Sequence, residues 1–88
     1  MIKWNKDKYI KLKKERRIDL YEIEQMILNK KYITILKNPS RPKQKMFILK
    51  YRNYIHCVPF LIDRDKDIIL KTVYARRKFN RIYGGRKN

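Results

Sequence analysis

The spacing of apolar positions divides the chain into a helical front and a strand-rich remainder. Asn5 can cap a helix over Lys6 to Arg16, with Trp4, Lys8 and Leu12 recurring at four-residue steps and Ile10 off that face. The second helix is better marked. Asp19-Leu20-Tyr21-Glu22 has capping-box spacing, with Asp19 as the cap and Glu22 reaching back. Leu20, Ile23 and Ile27 then fall on one face with Met26 beside them. Asn29-Lys30-Lys31 closes the helix with cations at the negative end of its dipole.

From Tyr32 the period shortens. Tyr32–Leu36 is a β-rich run, and Asn38-Pro39-Ser40-Arg41-Pro42 is a turn or loop. Lys45–Tyr51, Tyr54–Ile62 and Asp67–Tyr74 read as three further strands. Arg52-Asn53 predicts a tight hairpin and Asp63-Arg64-Asp65-Lys66 the next connection, with Asn53 and Asp65 as residues that tolerate positive φ. Pro59 indicates an edge position or a bulge. Lys78–Tyr83 predicts a last helical turn before Gly84-Gly85, and residues 84–88 read as a tail. The expected architecture is α+β: two N-terminal helices packed on a four-stranded antiparallel meander sheet, then a short C-terminal helical turn, in one domain over residues 1–88. Helices on one face leave the other open to water.

The net charge is the most unusual property of the composition. The 88 residues carry 25 Lys and Arg against 8 Asp and Glu, a formal charge of +17. The basic residues run from Lys3 to Lys87 between apolar ones, so the charge belongs to a folded body. A polyanion offsets the self-repulsion, and nucleic acid does so with release of condensed counterions. The single cysteine, Cys57, and the single histidine, His56, supply neither a disulfide nor a zinc-type ligand set, and no cofactor motif is present. Lys3, Lys6 and Lys8 interrupt any apolar leader, and the longest apolar run, Tyr54 to Ile62, is too short to span a bilayer. The expectation is a cytoplasmic protein with no cofactor, no metal and no membrane partner.

Metal-free chemistry on a phosphate is then the natural candidate. The 2′-hydroxyl of RNA can attack the adjacent phosphorus, so a protein need only position the chain, move protons and stabilise the phosphorane. Arg76, where the last strand ends in Tyr74-Ala75-Arg76-Arg77-Lys78, is a candidate for the charge term. Tyr54 and His56 point to one face of a strand, and His56 suits proton transfer. The bland readings are a solvated strand end and a hydrogen-bonded strand histidine. The seven tyrosines include several beside or two residues from cations, Tyr9, Tyr51, Tyr54 and Tyr83, which could stack bases or simply pack in strands. Arg41, Lys43, Lys45, Arg77, Lys78, Arg81 and Tyr83 complete a candidate RNA-binding set.

The layout resembles the BrnT-type toxins of the RelE-like bacterial ribonuclease family. An aromatic followed by a Lys four residues on is matched by Trp4 and Lys8. A stretch similar to Lys-His-Gly-Ile-Ser-Phe-Glu-Glu-Ala is matched by Glu15 to Ile23, with Glu15-Arg16-Arg17 in place of Lys-His-Gly. Arg41 stands where a family Arg precedes the second strand. Tyr74-Ala75-Arg76 stands for a Ser-Ala-Arg-like motif, with Tyr74 in place of the serine, and Tyr83 for the closing Tyr. The resemblance implies a toxin of a type II toxin–antitoxin system that cleaves RNA and blocks translation. It implies Arg76 as a site residue, Lys8 as a phosphate-positioning one, and a DNA-binding antitoxin, acidic in character, as partner. The alternative from the residues alone is a non-catalytic basic module that binds RNA or DNA.

Overall fold

The computed structural model describes residues 1–4, 6–15 and 18–85, with the side chains of Lys6, Lys8 and Glu15 outside the described set. The described residues form an α+β fold with nine elements: β1 Ile2–Trp4, α1 Lys6–Glu15, α2 Leu20–Leu28, β2 Thr34–Lys37, β3 Lys45–Tyr51, β4 Tyr54–Ile62, β5 Ile68–Leu70, β6 Tyr74–Ala75 and α3 Arg77–Tyr83. The sheet is six-stranded and mixed, in the order β1-β5-β4-β3-β2, with β6 also on β4.

This corrects the four-stranded meander in two places. The chain opens on a strand. Ile2–Trp4 pairs in parallel with Ile68–Leu70, so Trp4 belongs to the sheet and not to the face of α1. Three residues are too few to show a two-residue period in sequence. Trp4 nevertheless ties helix to sheet: its indole N–H donates to Glu24 of α2, and its ring meets Tyr9 of α1 edge-on at 6.3 Å. Second, the run Asp67–Tyr74 is two strands. Phe60 stands opposite Leu70, but Cys57 stands opposite Tyr74, so Lys71, Thr72 and Val73 face only Val58 and Pro59. That is a one-residue bulge, at the place where Pro59 has no N–H to offer; the Pro59 carbonyl instead accepts from Lys71 N–H at 2.8 Å.

Local chemistry sets the remaining boundaries. Asp19 caps α2 by accepting from Glu22 N–H at 3.2 Å. The reciprocal half of the capping box is replaced, because Asp19 N–H donates to the Tyr51 hydroxyl at 3.0 Å, tying the helix start to the sheet. At the other end Lys30 takes φ 55° while Lys31 N–H reaches Met26 O and Lys30 N–H reaches Ile27 O, the paired bonds of a Schellman ending. The β3–β4 hairpin turns on Arg52 and Asn53, both at positive φ (50° and 64°), as a two-residue primed turn requires. In the β4–β5 connection the left-handed position falls on Lys66 rather than Asp65, because Asp63 Oδ1 accepts from both Asp65 N–H and Asp67 N–H and fixes the turn. Gly84 ends α3, where a Cβ would run into the Asn80 carbonyl.

Both faces of the sheet are covered, unequally. Under α1 and α2 lie Phe47, Leu49, Tyr51, Val58, Phe60, Leu70 and Val73, packed against Leu12, Ile18, Leu20, Ile23 and Ile27. On the opposite face Met46, Ile48, Ile55 and Cys57 are covered by Tyr74, Phe79 and Tyr83 together with Ile33 and Leu36. Strand alternation thus sends odd residues of β3 and even residues of β4 toward the helices, and the others toward α3.

Candidate nucleic-acid interface

A cleft of about 520 Å³ opens on the α3 side, between the Asn38–Gln44 connection and the segment that runs from the bulge into α3. Arg41, Lys71, Arg76 and Lys78 line it, and its described lining holds no Asp or Glu. The low-dielectric walls focus a field of one sign, which suits a chain of phosphates.

Each cation sits on a fixed element. Arg41 rides a loop stiffened by Pro39 and Pro42 and closed on itself: Ser40 N–H donates to Asn38 Oδ1 at 3.1 Å, Arg41 N–H to Asn38 O at 3.2 Å, and Gln44 N–H to Arg41 O at 2.8 Å. Arg76 N–H donates to Ile55 O at 3.2 Å, and the Arg76 guanidinium lies over the Phe79 ring at 5.6 Å from its centroid. That stacking stabilises the fold by about 0.5–1 kcal/mol, and Arg76 remains exposed. The floor is Met46, Pro59 and Tyr74, whose hydroxyl meets Met46 Sδ at 3.6 Å. Cys57 lies beneath, fully buried; desolvation raises its thiol to about 11, against a smaller opposing pull from Arg76, so it stays a protonated core residue.

The bulge decides what shares this cleft. Leu70 points toward the helices with Phe60. In an unbroken strand Tyr74 and Arg76 would follow it to that face, which is also the face of His56. The extra residue reverses them, because a one-residue slip flips every later side chain. Tyr74 and Arg76 therefore face α3, while His56 and Tyr54 face the other way. His56 stands edge-on to Tyr51 at 5.3 Å and Tyr54 at 6.2 Å. Its Nδ1 donates to the Tyr54 carbonyl at 2.9 Å, which leaves Nε2 as the basic nitrogen. Burial lowers the His56 pKa below its ordinary value, a shift the Tyr54 carbonyl only partly opposes.

The other expected residues divide similarly. Arg41 and Lys78 line the cleft with Arg76. Lys43, Arg77 and Arg81 are exposed near it but outside its lining, and Lys45 starts β3 on the helix-facing side. Tyr83 packs on Phe79 at 6.2 Å, within the α3-side core. The Lys8 side chain lies outside the described residues. Lys71, Thr72 and Gln44 line the cleft without having been singled out from sequence; only Pro59 signals the bulge that brings Lys71 and Thr72 there. A second, smaller cleft of about 380 Å³ lies near the β3–β4 hairpin, among Tyr9, Lys13, Tyr21 and Arg52.

Asp63, Asp65 and Asp67 bring ligand atoms within 4.8 Å of one another, a grouping read from sequence only as a turn. Asp67 is already paired with Lys3 at 3.0 Å and the Met1 ammonium at 3.2 Å, and the hydrogen bond from Lys3 holds its carboxyl below the ordinary carboxylate value. This cluster pins β1 to β5. Among the described residues no helix is long and apolar enough to cross a membrane. Comparison with protein-family models, with curated proteins and with solved structures finds no match.

Proposed function

We propose that this protein is an RNA-cleaving toxin that grips single-stranded RNA in the α3-side cleft and is silenced by an acidic, DNA-binding antitoxin. The observation that carries the reading is the cleft itself: four cations, Arg41, Lys71, Arg76 and Lys78, converge with no described carboxylate in the lining. A partly open cleft suits a single strand, whose phosphates pair with the cations while its bases lie on aromatic and apolar floor.

Cleavage there needs no metal. The 2′-oxygen of the bound nucleotide bonds to the neighbouring phosphorus as its proton passes to water. The bond from phosphorus to the 5′-oxygen breaks, and that oxygen takes a proton from the Tyr74 hydroxyl or the Lys71 ammonium. Arg76 pairs with the non-bridging oxygens, where charge accumulates. The products end in a 2′,3′-cyclic phosphate and a 5′-hydroxyl.

One observation favours a second reading, a non-catalytic RNA-binding module. His56 and Tyr54 face away from Arg76, so the described cleft lining holds no histidine or carboxylate to take the 2′-hydroxyl proton. One experiment separates the two. The parent and Arg76→Ala proteins are expressed at equal level, growth arrest is scored, and purified protein is incubated with RNA in EDTA. The toxin reading expects arrest and cyclic-phosphate ends from the parent, both lost in Arg76→Ala with RNA binding mostly retained. Binding without cleavage by the parent moves the assignment to the second reading.

A further inference from the structure

We infer that Gln44 forms a base-recognition site for adenine at the loop end of the cleft; the inference rests on the RNA-binding reading of that cleft. Gln44 is half-buried in the lining, immediately before β3. Its backbone is fully engaged: N–H to Arg41 O at 2.8 Å, and the carbonyl accepting from Asn38 N–H at 3.0 Å. The side-chain carboxamide has no partner within the described protein, while the neighbouring Asn38 amide has its oxygen committed to Ser40 N–H. Backbone fixed and amide free is the arrangement of a recognition group.

Position supports the same role. Gln44 and Met46, two residues apart at the start of β3, line the same cleft. Met46 Sδ touches the Tyr74 hydroxyl. A nucleotide whose phosphate sits on Arg76 and Lys71 shares the cleft with Gln44. A carboxamide offers one donor and one acceptor side by side, which matches the N6–H donor and N7 acceptor of adenine. The cations about it hold phosphates and read no sequence. Single-stranded RNA leaves those base edges open for such pairing.

The test uses short oligocytidine with one central adenosine, guanosine or uridine, carrying 2′-O-methyl sugars so that cleavage is blocked. Affinity is read by fluorescence anisotropy. The parent is expected to bind the adenosine oligomer between ~5-fold and ~100-fold more tightly than the others, the range for one good bidentate contact. Gln44→Ala is expected to bind all of them at the parent's oligocytidine level. An oligomer carrying purine riboside, which lacks the N6 amine, is expected to fall to that same level with the parent protein, a result independent of whether the variant folds. No adenosine preference in the parent, undiminished binding of purine riboside, or an equal loss for every oligomer in Gln44→Ala would overturn the inference. Absence of salt-sensitive binding to any of the oligomers would instead overturn the RNA-binding reading beneath it.

Discussion

On the helix-covered face, Phe47, Leu49, Val58 and Phe60 are sealed under Leu12, Ile23 and Ile27, whereas among the described residues the α3 face holds Met46, Ile48, Ile55 and Cys57 as buried core. The remainder of the α3 side is given to the cleft. A chain of 88 residues has only a modest core to divide between two faces. One face therefore carries most of the stability, and the half-covered one can place cations beside an apolar floor. The bulge opposite Pro59 connects the two faces: it keeps Leu70 and Val73 in the helix-side core and turns Tyr74 and Arg76 into the cleft.

The sharpest way to break that contrast is to truncate one buried residue on each face. Leu49→Ala should lose stability near the upper part of the ~2–5 kcal/mol range for buried Leu or Met truncation, read by urea denaturation. Met46→Ala should fall near the bottom, because its site borders the cleft and water can enter. Equal losses would mean that the faces share stability evenly.

Next in size is the chemistry. Arg76→Ala should slow RNA cleavage by ~10²–10³, as loss of one transition-state contact does. It should reduce stability by no more than the ~0.5–1 kcal/mol of its stacking on Phe79. A large stability loss with unchanged cleavage would move Arg76 from the site to the scaffold.

Salt should act more gently. With about four phosphates engaged, raising salt from about 50 mM to about 200 mM should weaken binding to single-stranded RNA by about 50-fold. An affinity flat across that range would remove phosphates from the contact.

The smallest effect belongs to the opposite face. His56 is lowered by burial, so it folds neutral and is more easily protonated when unfolded. Its contribution is present above its ordinary value near ~6.5 and is lost as pH falls through the lower folded value. Stability should decline over that interval, and His56→Asn should flatten the decline. RNA affinity of His56→Asn above pH ~7 should equal the parent's; a loss there would place His56 in the interface.

Much of the fold was legible because its signals are local. Asp19 as a cap, the Arg52-Asn53 turn and the apolar face of Leu20, Ile23 and Ile27 each need only neighbours in sequence. β1 was not legible, since Ile2–Trp4 is stabilised by a partner far along the chain. Of the candidate site residues read from sequence, Arg41, Arg76 and Lys78 line one cleft. Arg76 and His56 were both candidates for one chemistry, yet the bulge between β5 and β6 turns Arg76 to the face opposite His56. Pro59 raised a bulge as one possibility, yet its effect on Tyr74 and Arg76 depends on the register between β4 and β6, which no short motif encodes. Gln44 and Lys71 were silent for the same reason.

The proposed contact puts RNA in the α3-side cleft and does not rely on overall charge. Two triple variants test it, each removing three positive charges: Arg41, Lys71 and Lys78 to Gln in the cleft, and Lys11, Lys13 and Lys14 to Gln on exposed positions of α1. Binding to single-stranded RNA is measured for both across a salt series. The cleft triple should lower the slope of log affinity against log salt by about 2, while the α1 triple leaves it near the parent's. Equal changes in the two variants would contradict the claim.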